Sequence, residues 1–178
     1  MRTMIFIAAS LDGFIAREDN SLDWLENPHT APGQDYGYQR FIESVGASLM
    51  GRNTFDVIRD LKDWSKNDLP TFVLSHRSLD LPEEKFKNVE RIEGQPVEIL
   101  ENLKKRGFSS IYIDGGKVIT EFIDHSLIDE MIITTIPVLL GKGIPLFGHL
   151  NDEIRLQLLS TVDFKDGFVQ SSYKVLKG

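Results

Sequence analysis

Short apolar runs alternate with helical patterns along residues 1–140 of the chain. Each run has the length of a single strand, and turn residues or a helical pattern separate it from the next. This alternation predicts an α/β fold in which helices cover a central sheet. The predicted strands are Met4–Ala9, Ala47–Met50, Thr71–Leu74, Val89–Ile92, Ser110–Ile113 and Met131–Ile136.

Three helical patterns lie between these strands. The second one begins at Pro96 and stops at Gly107, with acidic residues early and basic residues late, as the helix dipole favours. The third follows the pair Gly115-Gly116. The apolar face of the first is formed by Tyr38, Phe41, Ile42 and Val45, and that of the third by Val118, Ile119, Phe122 and Ile123.

The C-terminal segment has a different pattern. Two runs with apolar residues at alternating positions flank Lys165-Asp166-Gly167. An Asp-Gly pair between two such runs is a hairpin signal, so the sheet is predicted to end in antiparallel strands and to be mixed. We find no internal repeat and no linker-like tract in the sequence. A single domain over residues 1–178 is therefore expected.

Composition and charge narrow the functional classes. The 178 residues carry a formal net charge of −7, which argues against a general binder of nucleic acid or anionic membranes but allows a local basic site. The absence of cysteine excludes disulfides and thiolate zinc sites, and the histidines are too scattered for a metal motif. No apolar run approaches the roughly 20 residues that span a bilayer. We expect a cytoplasmic protein without a metal site.

A glycine pair follows the predicted strand that ends at Ile113. The segment Asp114-Gly115-Gly116-Lys117 leads from this strand into a helix. Glycines let backbone N–H groups approach a ligand, a helix N-terminus favours an anion, and Lys117 adds a cation at the rim. Phosphate binding and a plain tight turn both remain open. The full GxGxxG fingerprint is absent from the sequence, so an ordinary Rossmann domain is not indicated.

Two further loops follow predicted strands and carry residue types that bind anions. After Gly51, the side chains of Arg52 and Thr54 can reach phosphate oxygens, or they are a surface arginine and a helix N-cap. The loop Ser75-His76-Arg77 suits a phosphate monoester such as the 2′-phosphate of NADP, or it is simply a polar loop. Ligands of open α/β sheets gather at the carboxyl ends of strands, so the three loops together favour a phosphate-containing ligand.

Two acidic residues and a tryptophan are candidates for substrate contacts. Asp35 lies just before Tyr38, where a carboxyl group with a pKa raised by burial binds or protonates a nitrogen heterocycle, or where it caps the helix. Asp12 lies in an Asp-Gly turn, so it is either a turn residue or a substrate contact. Trp24 is typical of a core or rim position, and we retain it as a candidate substrate contact.

Five segments together resemble the dihydrofolate-reductase-like superfamily. Within it, the chain is most similar to the reductase domain of bifunctional riboflavin-biosynthesis deaminase-reductases and to its stand-alone bacterial relatives. The resemblance covers nearly the whole chain. It implies a three-layer α/β/α fold with a mixed, mostly parallel central sheet and an NADPH site. The segments are Ala8–Ala16, Gly51–Phe55, Leu74–Arg77, Ile113–Gly116 and Ile136–Phe147.

The resemblance also implies a cofactor-binding role for each matching residue. These residues form four groups that follow the dinucleotide from its nicotinamide to its pyrophosphate. The groups are Ala9 and Ile15 at the nicotinamide carboxamide, Gly51, Arg52 and Thr54 at the phosphate bridge, Ser75, His76 and Arg77 at the 2′-phosphate, and Gly115, Gly116, Lys117, Val118 and Ile119 around the pyrophosphate.

The substrate is less well defined by this resemblance. Folate reductases carry an acidic residue on the helix before the G-R-x-T turn, and Asp35 lies at the corresponding position in this sequence. Riboflavin-type reductases use the S-L-D-G region, which here supplies Ser10 and Asp12. We expect an NADPH-dependent reductase of a ribosylaminopyrimidine or pteridine-like compound. The alternatives are a dinucleotide-binding module without catalysis and a true dihydrofolate reductase. Stand-alone relatives are often homodimers, so a homodimer is expected.

Overall fold

Strands and helices alternate along the chain as the sequence pattern predicts. The structure, a computed structural model, describes residues 1–26, 33–59, 68–79, 81–82 and 86–177. The strands of this part are β1 (Arg2–Ser10), β2 (Phe14–Ala16), β3 (Ala47–Gly51), β4 (Thr71–Leu74), β5 (Val89–Ile92), β6 (Ser110–Asp114), β7 (Glu130–Ile136), β8 (Ile144–Pro145), β9 (Arg155–Asp163) and β10 (Val169–Leu176). The helices are α1 (Tyr38–Glu43), α2 (Arg52–Ile58), α3 (Pro96–Lys105) and α4 (Gly116–Asp124), with a 3-10 turn at Asp23–Leu25.

Eight of these strands form one mixed sheet in the order β5-β4-β3-β6-β1-β7-β10-β9. The six strands from β5 to β7 run parallel to one another. Strand β10 runs antiparallel to β7, and β9 pairs antiparallel with β10 across the predicted Asp-Gly hairpin. Strands β2 and β8 form a separate short ladder. The prediction of a mixed, mostly parallel sheet with a C-terminal hairpin is confirmed.

Successive side chains of a strand point to opposite faces of the sheet. Because apolar side chains lie on both faces, helices cover both. We call the two sides the α1 face and the α4 face. Two clusters lie on the α1 face. In the first, Phe41 of α1 packs with Met4 and Tyr112 of the sheet, and in the second, Phe55 of α2 packs with Met50 and Val73 of the sheet. On the α4 face the core includes Ile5, Ile111 and Ile113 with Leu103 of α3 and Phe122 of α4. This arrangement is the expected three-layer α/β/α fold.

The ends of the helices follow from local residues. Helix α3 begins with a capping box, in which the Gln95 N–H donates to Glu98 Oε2 at 3.0 Å, and Pro96 occupies its first turn. Helix α1 is shorter than the apolar pattern predicts. It ends at Glu43, where the Ser44 hydroxyl donates to the Phe41 carbonyl at 2.7 Å, and Val45 is buried just beyond the helix. In the described ranges, no helix combines the length and apolarity needed to cross a membrane.

Candidate functional site

Five parallel strands end at the same edge of the sheet, which we call the carboxyl edge. They are β1, β3, β4, β6 and β7. The loops that follow them contain the polar residues singled out in the sequence. This edge therefore brings together segments that are far apart in the chain, as ligand sites of open α/β sheets require. The loops and helix starts at this edge include residues 10–13, 51–54, 75–77 and 115–119.

The turn after β6 packs closely against α2 and against the short ladder of β2 and β8. A Cβ atom at Gly115, which has a φ of +91°, would overlap the Oγ1 atom of Thr54 in α2. A Cβ atom at Gly116 would lie 2.5 Å from the Pro145 carbonyl and 3.2 Å from Ile15 Cδ1. Only glycine fits at these two positions. The predicted cofactor residues Ile15, Thr54, Gly115 and Gly116 thus lie together.

The start of α4 leaves few groups for a ligand. A Cβ atom at Gly51 would lie 3.3 Å from Val118 Cγ2, so these two predicted residues are neighbours. The side chains of Val118 and Ile119 are buried in the core, and the Ile119 N–H donates to the Gly115 carbonyl at 2.9 Å. The side chain and the N–H of Ile119 are thus engaged within the protein, and its expected contact with pyrophosphate stays a prediction. The N–H groups of the first turn before Ile119 are the ones that a helix leaves without a partner.

Arg52 connects α2 to the loop after β4. Its Nε donates to Asp56 Oδ2 at 2.7 Å, and its Nη1 donates to the Ser78 carbonyl at 3.0 Å. Thr54 does not cap α2, because the helix begins after Gly51 without a side-chain cap. Both observations differ from the plain alternatives of a surface arginine and an N-cap threonine. The phosphate-binding roles of Arg52 and Thr54 stay predictions.

The loop after β4 is ordered around Ser75. The buried Ser75 hydroxyl accepts the Arg77 N–H at 3.1 Å and donates to the Arg77 carbonyl at 2.9 Å. The His76 side chain is 93% exposed and lies 3.8 Å from Glu93. The side chains of Arg77 and Lys117 are exposed, and neither has an ion-pair or hydrogen-bond partner within the described ranges. Two uncommitted cations therefore lie at the carboxyl edge.

Asp114 is a candidate site residue that the sequence reasoning missed. It is the last residue of β6, on the α1 face, directly before the glycine pair. Its Oδ1 accepts the Gly115 N–H at 2.8 Å, but burial raises the pKa of the carboxyl group from 3.8 to about 6. Burial likewise raises the pKa of the neighbouring Tyr38 hydroxyl to about 12. A carboxylate between a strand and a glycine pair is the sequence signal that could have indicated Asp114.

The α1 face leaves part of the central strand uncovered. Phe6 and Ala8 of β1 are half-buried although β1 lies in the middle of the sheet, and we call these two residues the β1 surface. On the β6 side, Tyr38 packs edge-on against Phe6 with ring centroids 5.6 Å apart. On the β7 side, Trp24 packs near Ala8 in a cluster with Ile136. Aromatic side chains around a partly open apolar floor suit a flat ring.

Trp24 has an unusual polar atom. The residue is 7% exposed, yet its buried indole N–H has no hydrogen-bond partner among the described residues. A buried donor without a partner costs free energy, and such groups are often completed by a ligand or a water molecule. Trp24 lies beside the β1 surface, and its contact with a substrate stays a prediction.

A family model described as the RibD C-terminal domain matches residues 3–170 of the chain. The chain belongs to the RibD C-terminal domain family. The resemblance noted in the sequence is confirmed. One relative, the uncharacterised protein YwjB of Bacillus subtilis, is 36% identical over 165 residues, which cover 92% of this chain and 92% of that protein.

Two solved structures place the RibD C-terminal domain within a wider fold. A proposed riboflavin biosynthesis protein from Shewanella sp. PV-4 superposes with a TM-score of 0.92 at 36% identity, over 99% of this chain and all of that one. The dihydrofolate reductase of Enterococcus faecalis superposes with a TM-score of 0.65 at 20% identity, over 99% of this chain and 97% of that enzyme. The second likeness shows the fold alone.

Asp35 in this member of the RibD C-terminal family is a helix cap. Its Oδ2 accepts the Gln39 N–H and its Oδ1 accepts the Gly37 N–H, both at 2.9 Å. These hydrogen bonds lower the pKa of the exposed carboxyl group. The expectation of a buried acid with a raised pKa is therefore wrong. The reason is that α1 begins only at Tyr38, so Asp35 lies before the helix and binds its free N–H groups.

Asp12 joins two loops of the RibD C-terminal domain. Its Oδ1 accepts the Ser10 hydroxyl at 2.6 Å and the Leu140 N–H at 3.1 Å, and its Oδ2 accepts the Gly141 N–H at 2.7 Å. The Ser10 hydroxyl also accepts the Phe14 N–H at 2.9 Å. These hydrogen bonds, with Ser10 first, lower the pKa of Asp12. Ser10 and Asp12 thus organise the loops after β1 and β7, and their substrate contacts stay predictions.

Proposed function

We propose that this protein is an NADPH-dependent reductase of a small, flat heterocycle of the riboflavin-pathway type, a ribosylaminopyrimidine or a pteridine-like compound. The observation that supports this most directly is the position of the β1 surface beside the glycine pair after β6. Asp114 is the neighbour of both, because it ends β6 next to β1 and precedes Gly115. A ring bound over Phe6 and Ala8 lies beside a group bound at that turn.

The chain has the features that a phosphorylated dinucleotide requires. Gly115 and Gly116 leave no room for a side chain between α2, β2 and β8, so backbone can approach a ligand there. Arg77 and Lys117 are cations without partners in the described part of the chain. We assign Arg77 with Ser75 to the 2′-phosphate and Lys117 to the pyrophosphate. When bound, the nicotinamide supplies the hydride.

The protein contributes orientation and a proton. The rings of Phe6, Tyr38 and Trp24 hold a flat substrate over the β1 surface, and the free indole N–H of Trp24 donates to an acceptor atom of that substrate. Reduction of a C=N or C=O group needs one proton. Because burial raises the pKa of Asp114 to about 6, its carboxyl group is half protonated near pH 6 and can donate that proton.

Two other functions make different predictions. A binding module without catalysis binds NADPH but consumes none with any substrate. A dihydrofolate reductase turns over dihydrofolate and binds methotrexate tightly. The capping role of Asp35 counts against the second alternative, because both of its oxygens accept backbone N–H groups and its pKa is lowered.

The decisive experiment is NADPH consumption with ribosylaminopyrimidine, pteridine and dihydrofolate substrates. We expect turnover with the first class and a lower rate with NADH. Arg77→Ala should raise KM for NADPH by about 10- to 100-fold, the range of one to two charge-assisted hydrogen bonds, and leave KM for NADH nearly unchanged. Lys87→Ala is the matched control, since Lys87 is an exposed cation before β5, at the opposite edge of the sheet. Equal losses for NADPH and NADH would contradict the 2′-phosphate assignment.

A further inference from the structure

The loop after β4, residues 75–78, is held to neighbouring elements at both of its ends, and we call it the Ser75 loop. At its start, the Ser75 N–H donates to the last carbonyl of β5 at 3.1 Å, and the Ser75 carbonyl accepts a hydrogen bond from Arg91 Nη1 at 3.1 Å. At its end, the Ser78 carbonyl accepts a hydrogen bond from Arg52 Nη1 at 3.0 Å. The backbone of the loop therefore has a fixed path.

Arg91 reaches the Ser75 loop from the neighbouring strand. It lies on β5 opposite Val73 of β4, and its side chain extends past the end of β4 to the Ser75 carbonyl. The same Nη1 atom donates to Glu93 Oε2 at 2.9 Å. One contact fixes the loop and the other compensates the positive charge. The guanidinium of Arg91 is therefore engaged within the protein.

Arg77 combines a fixed backbone with a free side chain. Its N–H donates to the buried Ser75 hydroxyl at 3.1 Å, and its carbonyl accepts a hydrogen bond from that hydroxyl at 2.9 Å. Its exposed guanidinium has neither a hydrogen bond nor an ion pair with any residue that the structure describes. Arg91 thus holds Ser75, and Ser75 holds the backbone of Arg77.

Arg91 could assist the binding of an anion in two ways, by direct contact or by support of Arg77. The ion pair with Glu93 favours support, because a guanidinium that already binds a carboxylate brings a negative charge close to the anion. Support has a physical benefit of its own. A ligand that must first order a loop and its side chains binds more weakly than one that meets them already in place.

We propose that Arg91 is a positioning residue that determines the preference of this protein for nucleotides with a 2′-phosphate. It acts through the Ser75 carbonyl on the backbone of Arg77, and it contacts neither the ligand nor the reacting atoms. The inference rests on the proposed function, which assigns the 2′-phosphate to Arg77 and Ser75.

The test is the binding of 2′,5′-ADP, which carries a 2′-phosphate but no nicotinamide, measured by isothermal titration calorimetry. The reference ligand is 5′-AMP, which lacks the 2′-phosphate. Arg91→Met keeps a long apolar side chain but removes the donor and the charge. We expect it to raise the Kd for 2′,5′-ADP about 3- to 10-fold, the range that the ordering of one long side chain accounts for, and to leave the Kd for 5′-AMP nearly unchanged.

Arg106→Met is the matched control. The side chains of Arg106 and Arg91 are both 38% exposed, and each pairs with a carboxylate at or next to β5, which for Arg106 is Glu90 at 2.7 Å. Arg106 makes no hydrogen bond to the Ser75 loop among the described residues. This variant should bind 2′,5′-ADP as the wild type does. Circular dichroism and urea unfolding of both variants show that the fold is retained.

A double variant separates support from direct contact. In an Arg77→Ala background, Arg91→Met should change the Kd for 2′,5′-ADP no further, because the residue through which Arg91 acts has been removed. An undiminished effect in that background would show a direct contact of Arg91 with the phosphate and would overturn the proposal. It would also be overturned if Arg77→Ala weakened the binding of 2′,5′-ADP and Arg91→Met did not.

Failure of the proposed function gives different results. If the wild type bound 2′,5′-ADP no better than 5′-AMP, the 2′-phosphate assignment would fail and the role of Arg91 would fail with it. If the wild type bound 2′,5′-ADP tightly but oxidised no NADPH with any substrate, the reductase activity alone would be contradicted. The Arg91 and Arg77 variants would then still decide the role of Arg91, because their readout is binding.

Discussion

At the scale of single residues, the carboxyl groups Asp35 and Asp114 show how environment decides chemistry. Asp35 lies in solvent at a helix start, where backbone N–H groups stabilise its charged form and lower its pKa. Asp114 accepts one backbone N–H, but burial against the α1 face outweighs this hydrogen bond and raises its pKa to about 6. Of the two groups, Asp114 is the one that keeps its proton to higher pH, as the proposed role of proton donor requires.

The raised pKa of Asp114 predicts a pH-dependent effect of Asp114→Asn on stability. The folded chain binds an extra proton between about pH 4 and pH 6, so the Asp114 carboxyl lowers the free energy of unfolding as pH rises through this window. Asparagine keeps an acceptor for the Gly115 N–H and has no charge to bury. We expect the variant to be more stable than wild type by about 2–3 kcal/mol near pH 8 and by much less near pH 4.

Urea unfolding at the two pH values measures this difference. Asp19→Asn is the control, because Asp19 is an exposed turn residue whose pKa is lowered, so its removal gives no gain near pH 8. The same Asp114→Asn variant should lower kcat of the proposed reductase and remove the fall in kcat as pH rises through about 6. An equal stability change at both pH values would contradict the burial of the charged carboxyl.

At the scale of elements, short strand-like runs identified the six parallel strands. Four of them, β1, β3, β4 and β6, bury at least three consecutive side chains, whereas β5 at the edge of the sheet buries only Ile92. Strands β2 and β8 were not predicted, since two- and three-residue strands contain too few residues for any periodicity. That the polar loops lie at the same edge of the sheet could be predicted from the parallel topology alone. The raised pKa of Asp114 could not be predicted in this way, because it depends on burial under parts of the chain that are remote in sequence, such as the region of Tyr38.

The contact between the turn after β6 and the start of α2 gives a prediction for Gly115→Ala. An alanine there adopts an unfavourable positive φ and also overlaps Thr54 Oγ1. The expected loss is about 1–2 kcal/mol from the backbone and a further 1–3 kcal/mol from overpacking. Gly107→Ala is the matched control, since Gly107 has a φ of +95° but a Cβ there meets nothing within 4 Å in the described structure.

Chemical unfolding of both variants separates the two contributions. Adding Thr54→Ala to Gly115→Ala should recover part of the second contribution, because it removes the overlapping Oγ1 atom. If Gly115→Ala lowers the free energy of unfolding no more than Gly107→Ala does, the close packing of the turn against α2 is contradicted. The glycine pair would then be a plain turn, which is the alternative that the sequence left open.

At the scale of the whole molecule, the sheet separates two surfaces. Its carboxyl edge carries the polar loops and the uncommitted cations Arg77 and Lys117 in a chain with a net charge of −7. Its lateral edge at β9 carries apolar side chains. The acidic surface elsewhere discourages nonspecific binding of anions, so the two cations confine anion binding to one place.

This separation predicts that NADPH stabilises the chain through the carboxyl edge alone. At 100 times its Kd, NADPH should raise the free energy of unfolding by about 2.7 kcal/mol, which for a chain of this size shifts Tm by roughly 5–10 °C. The shift, measured by differential scanning fluorimetry at fixed protein concentration, should be much smaller for NADH at the same concentration and for NADPH with Arg77→Ala. Leu158→Glu should retain the full NADPH shift, since β9 contributes no residue to the carboxyl-edge loops. If Leu158→Glu abolished the shift while circular dichroism showed a folded chain, the assignment of the ligand to the carboxyl edge would be contradicted.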